Sequence, residues 1–236
     1  MSHYLWRDGW HPAEPAAGEV ACADSWRHVD GRAHGFSAHA RRFERCAGPL
    51  PPGFWASTAR ALDTPGEFFP RVALAGGQLR LDIRPAPPAR ATTVLALSAA
   101  PDPRTAPLIK GPDLARLSAF RARHTPPGAD DVILGDFAET TTGALVGWEG
   151  STLVVPRGVR LPSVTQAQVV GRARERGISV REGRLHPGMP LWFLNSLHGV
   201  SPVTSIVGDG TNRAVPAQPG AAEWAAWWWA GFRSAG

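Results

Sequence analysis

One residue type in this chain is all but absent. Of its 25 lysines and arginines, a single one, Lys110, is lysine. Arginine replaces lysine wherever the charge is solvated, but its guanidinium stays protonated and does not act as an amine nucleophile. A neutral lysine amine adds to a carbonyl carbon and forms a Schiff base. Lys110 is therefore either a chance survivor of a coding bias towards arginine, glycine and proline, or the one position where an amine is needed. Its companions in the sequence have to decide.

Those companions form an ordered series of short segments. Asp24-Ser25-Trp26-Arg27 comes first, followed by His39-Ala40-Arg41-Arg42-Phe43. Lys110 follows, then Phe137-Ala138-Glu139-Thr140-Thr141-Thr142-Gly143-Ala144-Leu145, then Leu161-Pro162-Ser163-Val164-Thr165. Asn195-Ser196-Leu197-His198-Gly199-Val200-Ser201-Pro202-Val203 closes the series. Taken singly, each has a plain reading: Glu139 as an edge-strand charge, Arg42 as a helix-surface residue, Thr165 as a helix-start residue. Other chemistries lose support. There is no Gly-x-Gly-x-x-Gly fingerprint, and Lys110 is followed by Gly-Pro where a phosphate loop needs Ser or Thr. The eight histidines contain no His-Glu-x-x-His pair, and Gly-x-Ser-x-Gly is absent. Cys22 and Cys46 are too few for a disulfide framework or a four-ligand zinc site, so no metal is expected.

The elements that must carry these segments can be read from pattern and punctuation. A strand over 24–29 followed by Asp30-Gly31 predicts a tight hairpin. Ser37 is the expected cap of a helix over 38–46, and 54–62 reads as a second helix. Strands 72–74 and 79–83 flank Gly76-Gly77, and 92–97 is a β-branched strand. Three prolines within 99–107 mark a linker. A helix over 114–123 follows. Short strands come next at 132–134, 137–139, 144–148 and 152–155. Pro162 opens a helix that runs to about 176 and stops at Gly177. Further strands fall at 191–194 and 203–207. The tail with Trp224 and Trp227 to Trp229 reads as a helix packing on the body rather than a base-stacking platform. This gives an α+β protein: a small domain over 1–100, a linker over 101–109 and a larger domain over 110–236.

The chain of 236 residues is 43% apolar and 19% charged, a globular profile with no apolar run long enough to span a membrane. Its net charge of +5 is not concentrated. Arg41, Arg42 and Arg45, and Arg172, Arg174 and Arg176, are the densest groups, too short for a nucleic-acid-binding arm. Arg7 and Asp8 stand where an export signal needs an apolar core, so a cytoplasmic location is expected.

The order of the segments, with the only lysine among them, resembles the class IV aminotransferase family, the fold-type IV pyridoxal-phosphate enzymes, over about residues 20 to 207. The resemblance implies a small N-terminal α/β domain, a larger C-terminal pseudo-barrel domain, pyridoxal 5'-phosphate as cofactor, and a homodimer acting on a small-molecule amine. It implies that Lys110 forms the Schiff base and moves the substrate proton. It implies further that Glu139 faces the pyridine nitrogen. By the same resemblance Arg42, Val164, Thr165 and Ser196 are the expected phosphate contacts. Trp26, Arg27, Leu197 and His198 are the expected substrate contacts, with Arg27 pairing a carboxylate. The family separates into aminotransferases and aminodeoxychorismate lyases. A hydroxyl residue in the strand before the Asp-Gly turn marks the lyases, and Ser25 occupies that position as a proton donor to departing enolpyruvate. Release of pyruvate and 4-aminobenzoate, a step of folate biosynthesis, is the favoured reaction; transamination between an amino acid and a 2-oxo acid is the alternative. A non-catalytic binding module on the same fold is a third reading. Gly143-Ala144 departs from the family pattern, which commonly has a polar pair ending in asparagine.

Overall fold

The computed structural model describes residues 1–208 and 210–235. The chain divides into two compact units. The first comprises Met1–Pro88, Ile109–Leu114 and the residues from Trp228 on; the second comprises Ala89–Leu108 and Ala115–Trp227.

The first unit begins with β1 (Ser2–Trp6), β2 (Trp10–Pro12), β3 (Val20–Ser25), β4 (His28–Val29) and β5 (Arg32–Ala33). Helices α1 (Phe36–Ala47) and α2 (Phe54–Ala61) follow, then β6 (Glu67–Phe68), β7 (Arg71–Ala75) and β8 (Gln78–Ile83). Five of these strands make an antiparallel sheet in the order β2-β1-β8-β7-β3. Its core gathers Cys22 of β3, Phe43 of α1, Phe54 of α2, Val72 of β7 and Leu81 of β8, with Trp26 and Leu62. The expected strand over 24–29 is broken. Trp26 leaves the sheet to pack against Phe36, His39 and Trp55, and β4 joins a different sheet. The Asp30-Gly31 hairpin forms as expected, with both residues at positive φ and His28 opposite Ala33. Ser37 does not cap α1. Gly35 stands at the cap and its carbonyl receives the N–H groups of Ala38 and His39, so Ser37 lies within the first turn.

The second unit contains β9 (Thr93–Ala96), α3 (Leu114–His124, from Ala115 on), β10 (Asp131–Leu134), β11 (Glu139–Thr140), β12 (Ala144–Glu149) and β13 (Thr152–Pro156). There follow α4 (Val164–Glu175), β14 (Val180–Gly183), β15 (Leu191–Asn195), β16 (Gly199–Gly208), β17 (Thr211–Ala214) and α5 (Ala221–Trp229, to Trp227 in this unit). Strands β11-β10-β9-β16-β15-β12 pair in sequence, and β12 pairs back with β11, which closes a six-stranded ring. Leu95, Ile133, Leu145, Phe193, Val203 and Ile206 belong to its core. The ring is the barrel-like sheet of the expected α+β architecture. The strand expected over 137–139 starts only at Glu139, because Phe137 turns the chain at φ 58, a left-handed conformation that is uncommon for a bulky side chain. At α4 the cap is Ser163, whose side chain accepts the Gln166 N–H at 3.2 Å; Pro162 lies just before it. Back in the first unit, β18 (Arg233–Ser234) pairs with β5 and completes a four-stranded sheet, β18-β5-β4-β6. Among the described residues no helix is long and apolar enough to cross a membrane.

Candidate functional site

In the first unit the candidate residues gather on β3, α1 and the returning segment 109–114. The Lys110 carbonyl accepts the Ala23 N–H at 2.6 Å, which fixes the lysine backbone alongside β3. The next residue has to be glycine: a Cβ on Gly111 would stand 2.5 Å from the Cys22 Cα. The Lys110 charge is close enough to His39 to disfavour protonation of its imidazole.

Asp24, fully buried on β3, collects the neighbouring donors. His39 Nδ1 lies 2.8 Å from its Oδ1, and Arg42 approaches with Nε at 2.7 Å from Oδ2 and Nη2 at 2.8 Å from Oδ1. The Ser25 backbone N–H adds a bond of 2.7 Å. Burial alone would raise the Asp24 carboxyl, but the charges of Arg42 and His39 outweigh it and hold it well below the usual carboxylate range. Burial lowers His39, and the opposing pull of Asp24 does not restore it. A neutral His39 that donates from Nδ1 keeps a lone pair on Nε2, and that atom is buried without a hydrogen-bond partner among the described residues.

Ser25, the expected proton donor, sits at the end of β3, 5% exposed, with Oγ 3.5 Å from Arg84 Nη2. Trp26 is a core residue at 1% exposure. Arg27, expected to meet a substrate carboxylate, is bonded through Nη1 to Glu67 Oε2 at 2.5 Å and through Nη2 to the Pro87 carbonyl, and its guanidinium lies over the Trp229 ring. A carboxylate there would have to displace Glu67. Arg84 is different. Its Nε donates to the Phe69 carbonyl at 3.0 Å and its guanidinium lies over the Phe69 ring, which fixes its plane beside Ser25. Burial lowers its pKa, and the nearby Arg71 lowers it further. No carboxylate pairs with it among the described residues: Asp82 is taken by Arg71 and His3. Sequence reasoning missed Arg84, and in a chain so rich in arginine it had no signal to follow.

In the second unit Glu139 is buried on β11. Its Oε2 accepts from Arg104 Nη1 at 2.6 Å and from the Leu161 N–H at 2.7 Å, and no described residue bonds to Oε1. Burial raises the Glu139 carboxyl despite the Arg104 charge, part of which Asp102 absorbs through its own fork on that guanidinium. The segment after Glu139 is tied down by Asp131, which accepts from the Thr140, Thr141 and Thr142 hydroxyls and from the Thr142 N–H. Arg104 and Asp131 also escaped the sequence reading. Gly143 is explained by packing, since a Cβ there would stand 2.5 Å from the Phe193 ring and 2.9 Å from the Leu194 carbonyl oxygen.

Leu161 leads from Glu139 into α4. Val164 and Thr165 form its first turn, where backbone N–H groups lack intrahelical partners. The Thr165 hydroxyl is buried and has no hydrogen-bond partner among the described residues. Ser196, Leu197 and His198 form the turn between β15 and β16, shaped by Asn195 Oδ1, which accepts the N–H groups of Leu197 and His198. His198 is buried, and its Nδ1 accepts the Arg90 N–H at 3.2 Å.

Two atoms of the second unit suit parts of a phosphorylated pyridine: the orphaned Thr165 hydroxyl at a helix N-terminus fits a phosphate oxygen, and the open Glu139 Oε1 fits a protonated ring nitrogen. In the first unit the Lys110 amine is the group that can form a Schiff base with an aldehyde.

A family model described as amino-transferase class IV matches residues 21–206. No curated protein sequence matches the chain. Among solved structures, a hypothetical aminotransferase from Mycobacterium tuberculosis in its PLP-bound form superimposes with a TM-score of 0.76 over 98% of each chain, at 19% identity. A T.th. branched-chain amino acid aminotransferase with pyridoxamine 5'-phosphate gives 0.77 over 100% of this chain and 98% of that one, at 14% identity. A fold IV transaminase from Curtobacterium pusillum gives 0.73 over 97% of each, at 17% identity. These likenesses show the fold. The family model covers most of the chain, and with it the chain belongs to the class IV aminotransferases, the fold-type IV enzymes whose cofactor is pyridoxal phosphate.

Proposed function

We propose that this protein is a pyridoxal-phosphate-dependent lyase that splits 4-amino-4-deoxychorismate into 4-aminobenzoate and pyruvate. The observation that carries the reading is the Ser25 hydroxyl at the end of β3, with the Arg84 guanidinium beside it. The bound cofactor supplies an electron sink for the carbon that bears the substrate amine. From the first unit, the Lys110 amine would hold the cofactor and, with substrate bound, would take the proton from the carbon that bears the substrate amine. Arg42 grips the phosphate. Arg84, rather than Arg27, pairs a substrate carboxylate with the guanidinium edge that no acidic residue occupies among the described residues. Ser25 gives its proton to the enolpyruvyl oxygen as the carbon–oxygen bond breaks, and the enol so released becomes pyruvate. From the second unit, Glu139 keeps the ring nitrogen protonated, with Oε2 held by Arg104 and Leu161. The Val164 and Thr165 N–H groups and the Thr165 and Ser196 hydroxyls complete the phosphate contacts. Leu197 and His198 line the substrate. The enzyme is proposed to act as a cytoplasmic homodimer.

A second reading, transamination, is favoured by the description of the family model and by the names of the structural neighbours. Product analysis separates the two. With 4-amino-4-deoxychorismate the lyase releases pyruvate, and Ser25→Ala slows that release by up to about 10²–10⁴-fold, the range of a lost general acid, while the cofactor stays bound. Absence of pyruvate, together with keto-acid formation from an amino acid, makes the protein an aminotransferase.

A further inference from the structure

We propose that Asp24 is a positioning residue that orients Arg42 towards the cofactor phosphate. The inference rests on the reading that Arg42 grips that phosphate. A fully buried carboxylate is tolerated when it is paired and hydrogen-bonded, and Asp24 is saturated by Arg42, His39 and the Ser25 N–H. The geometry of the Arg42 contact is specific. Asp24 takes the side-on edge of the guanidinium, Nε with one Nη2 hydrogen. The group is planar and its donors are fixed in a fork, so the end-on edge, Nη1 with the outer Nη2 hydrogen, faces away from Asp24. Arg42 projects from α1, where a long side chain ordinarily samples many rotamers; locking one edge removes that freedom before any anion arrives. His39 lies one turn earlier on the same helix face and binds the same carboxylate from its Nδ1, so β3 holds α1 at two consecutive turns. Asp24 touches neither phosphate nor substrate in this scheme and acts through Arg42 alone.

A structural tie between β3 and α1 would use the same contacts, so the test must read the phosphate itself. Apoprotein is titrated with pyridoxal phosphate and with pyridoxal, which lacks the phosphate, in the wild type, Asp24→Asn, Arg42→Ala and the double variant. The expected result is that Asp24→Asn weakens pyridoxal phosphate by about tenfold and leaves pyridoxal unchanged. The double variant should lose no more than Arg42→Ala alone. Equal weakening of both ligands by Asp24→Asn, or losses that add in the double variant, would overturn the inference and leave Asp24 a structural tie. If Arg42→Ala binds pyridoxal phosphate as the wild type does, the phosphate reading of Arg42 is the part that fails, and the inference falls with it. Should Asp24→Asn not fold, the same cycle run with Asp24→Glu, which keeps the charge but displaces the guanidinium, decides between the same outcomes.

Discussion

A buried hydroxyl with no partner costs roughly 1–3 kcal/mol, and Thr165 carries one at the start of α4. In the proposed site the phosphate offsets that cost. Thr165→Val keeps the shape and removes the hydroxyl. The apoprotein should become more stable, by up to the same amount, while affinity for pyridoxal phosphate falls roughly ten- to hundredfold through loss of a charge-assisted bond. Thermal unfolding with and without cofactor measures both changes; a destabilised apoprotein with unchanged affinity would sink the assignment. At this scale the sequence was readable where a residue type was scarce or its neighbours distinctive. Lys110 is one lysine among arginines, and Glu139 and Thr165 each sit in a recognisable segment. Arg84 and Arg104 were hidden for the converse reason. What distinguishes them is the carboxylate each lacks or holds, and that depends on residues far along the chain.

Among the elements, Gly143 shows how a strand is made to fit. It joins β11 to β12, and a Cβ there would stand 2.5 Å from the Phe193 ring of β15, so there is no room for a side chain. Gly143→Ala should cost about 1–3 kcal/mol through overpacking and lower the melting temperature by several degrees. A variant that melts with the wild type would mean that Phe193 yields freely. Helix periods, the Asp30-Gly31 turn and the Gly76-Gly77 turn were legible because they depend on near neighbours. The break after Ser25 was not: Trp26 suits a strand by propensity, and only the aromatic cluster it enters draws it out of the sheet. Phe137 is a similar case, since its burial in the ring's core accompanies a backbone conformation its side chain disfavours.

For the whole molecule, the proposed homodimer predicts a scattering mass about twice the 25.2 kDa of one chain; a mass of one chain at micromolar concentration would count against it. From pattern and punctuation the closed ring was legible only as a count of short strands, and the expectation of a barrel came from the family resemblance. Which strand pairs with which is set by long-range register that no local segment encodes. The way the first unit is assembled has a consequence in time. Its sheet and helices come from residues 1–88, yet the strand edge of β5 waits for β18, and the Ala23 N–H waits for Lys110. While the chain is being synthesised, that unit therefore stands with unpaired backbone groups until segments made much later return to it. An open edge of this kind invites pairing with another chain. The hazard of aggregation through these groups is thus greatest for nascent and truncated forms, before residues 233 and 234 pair with β5.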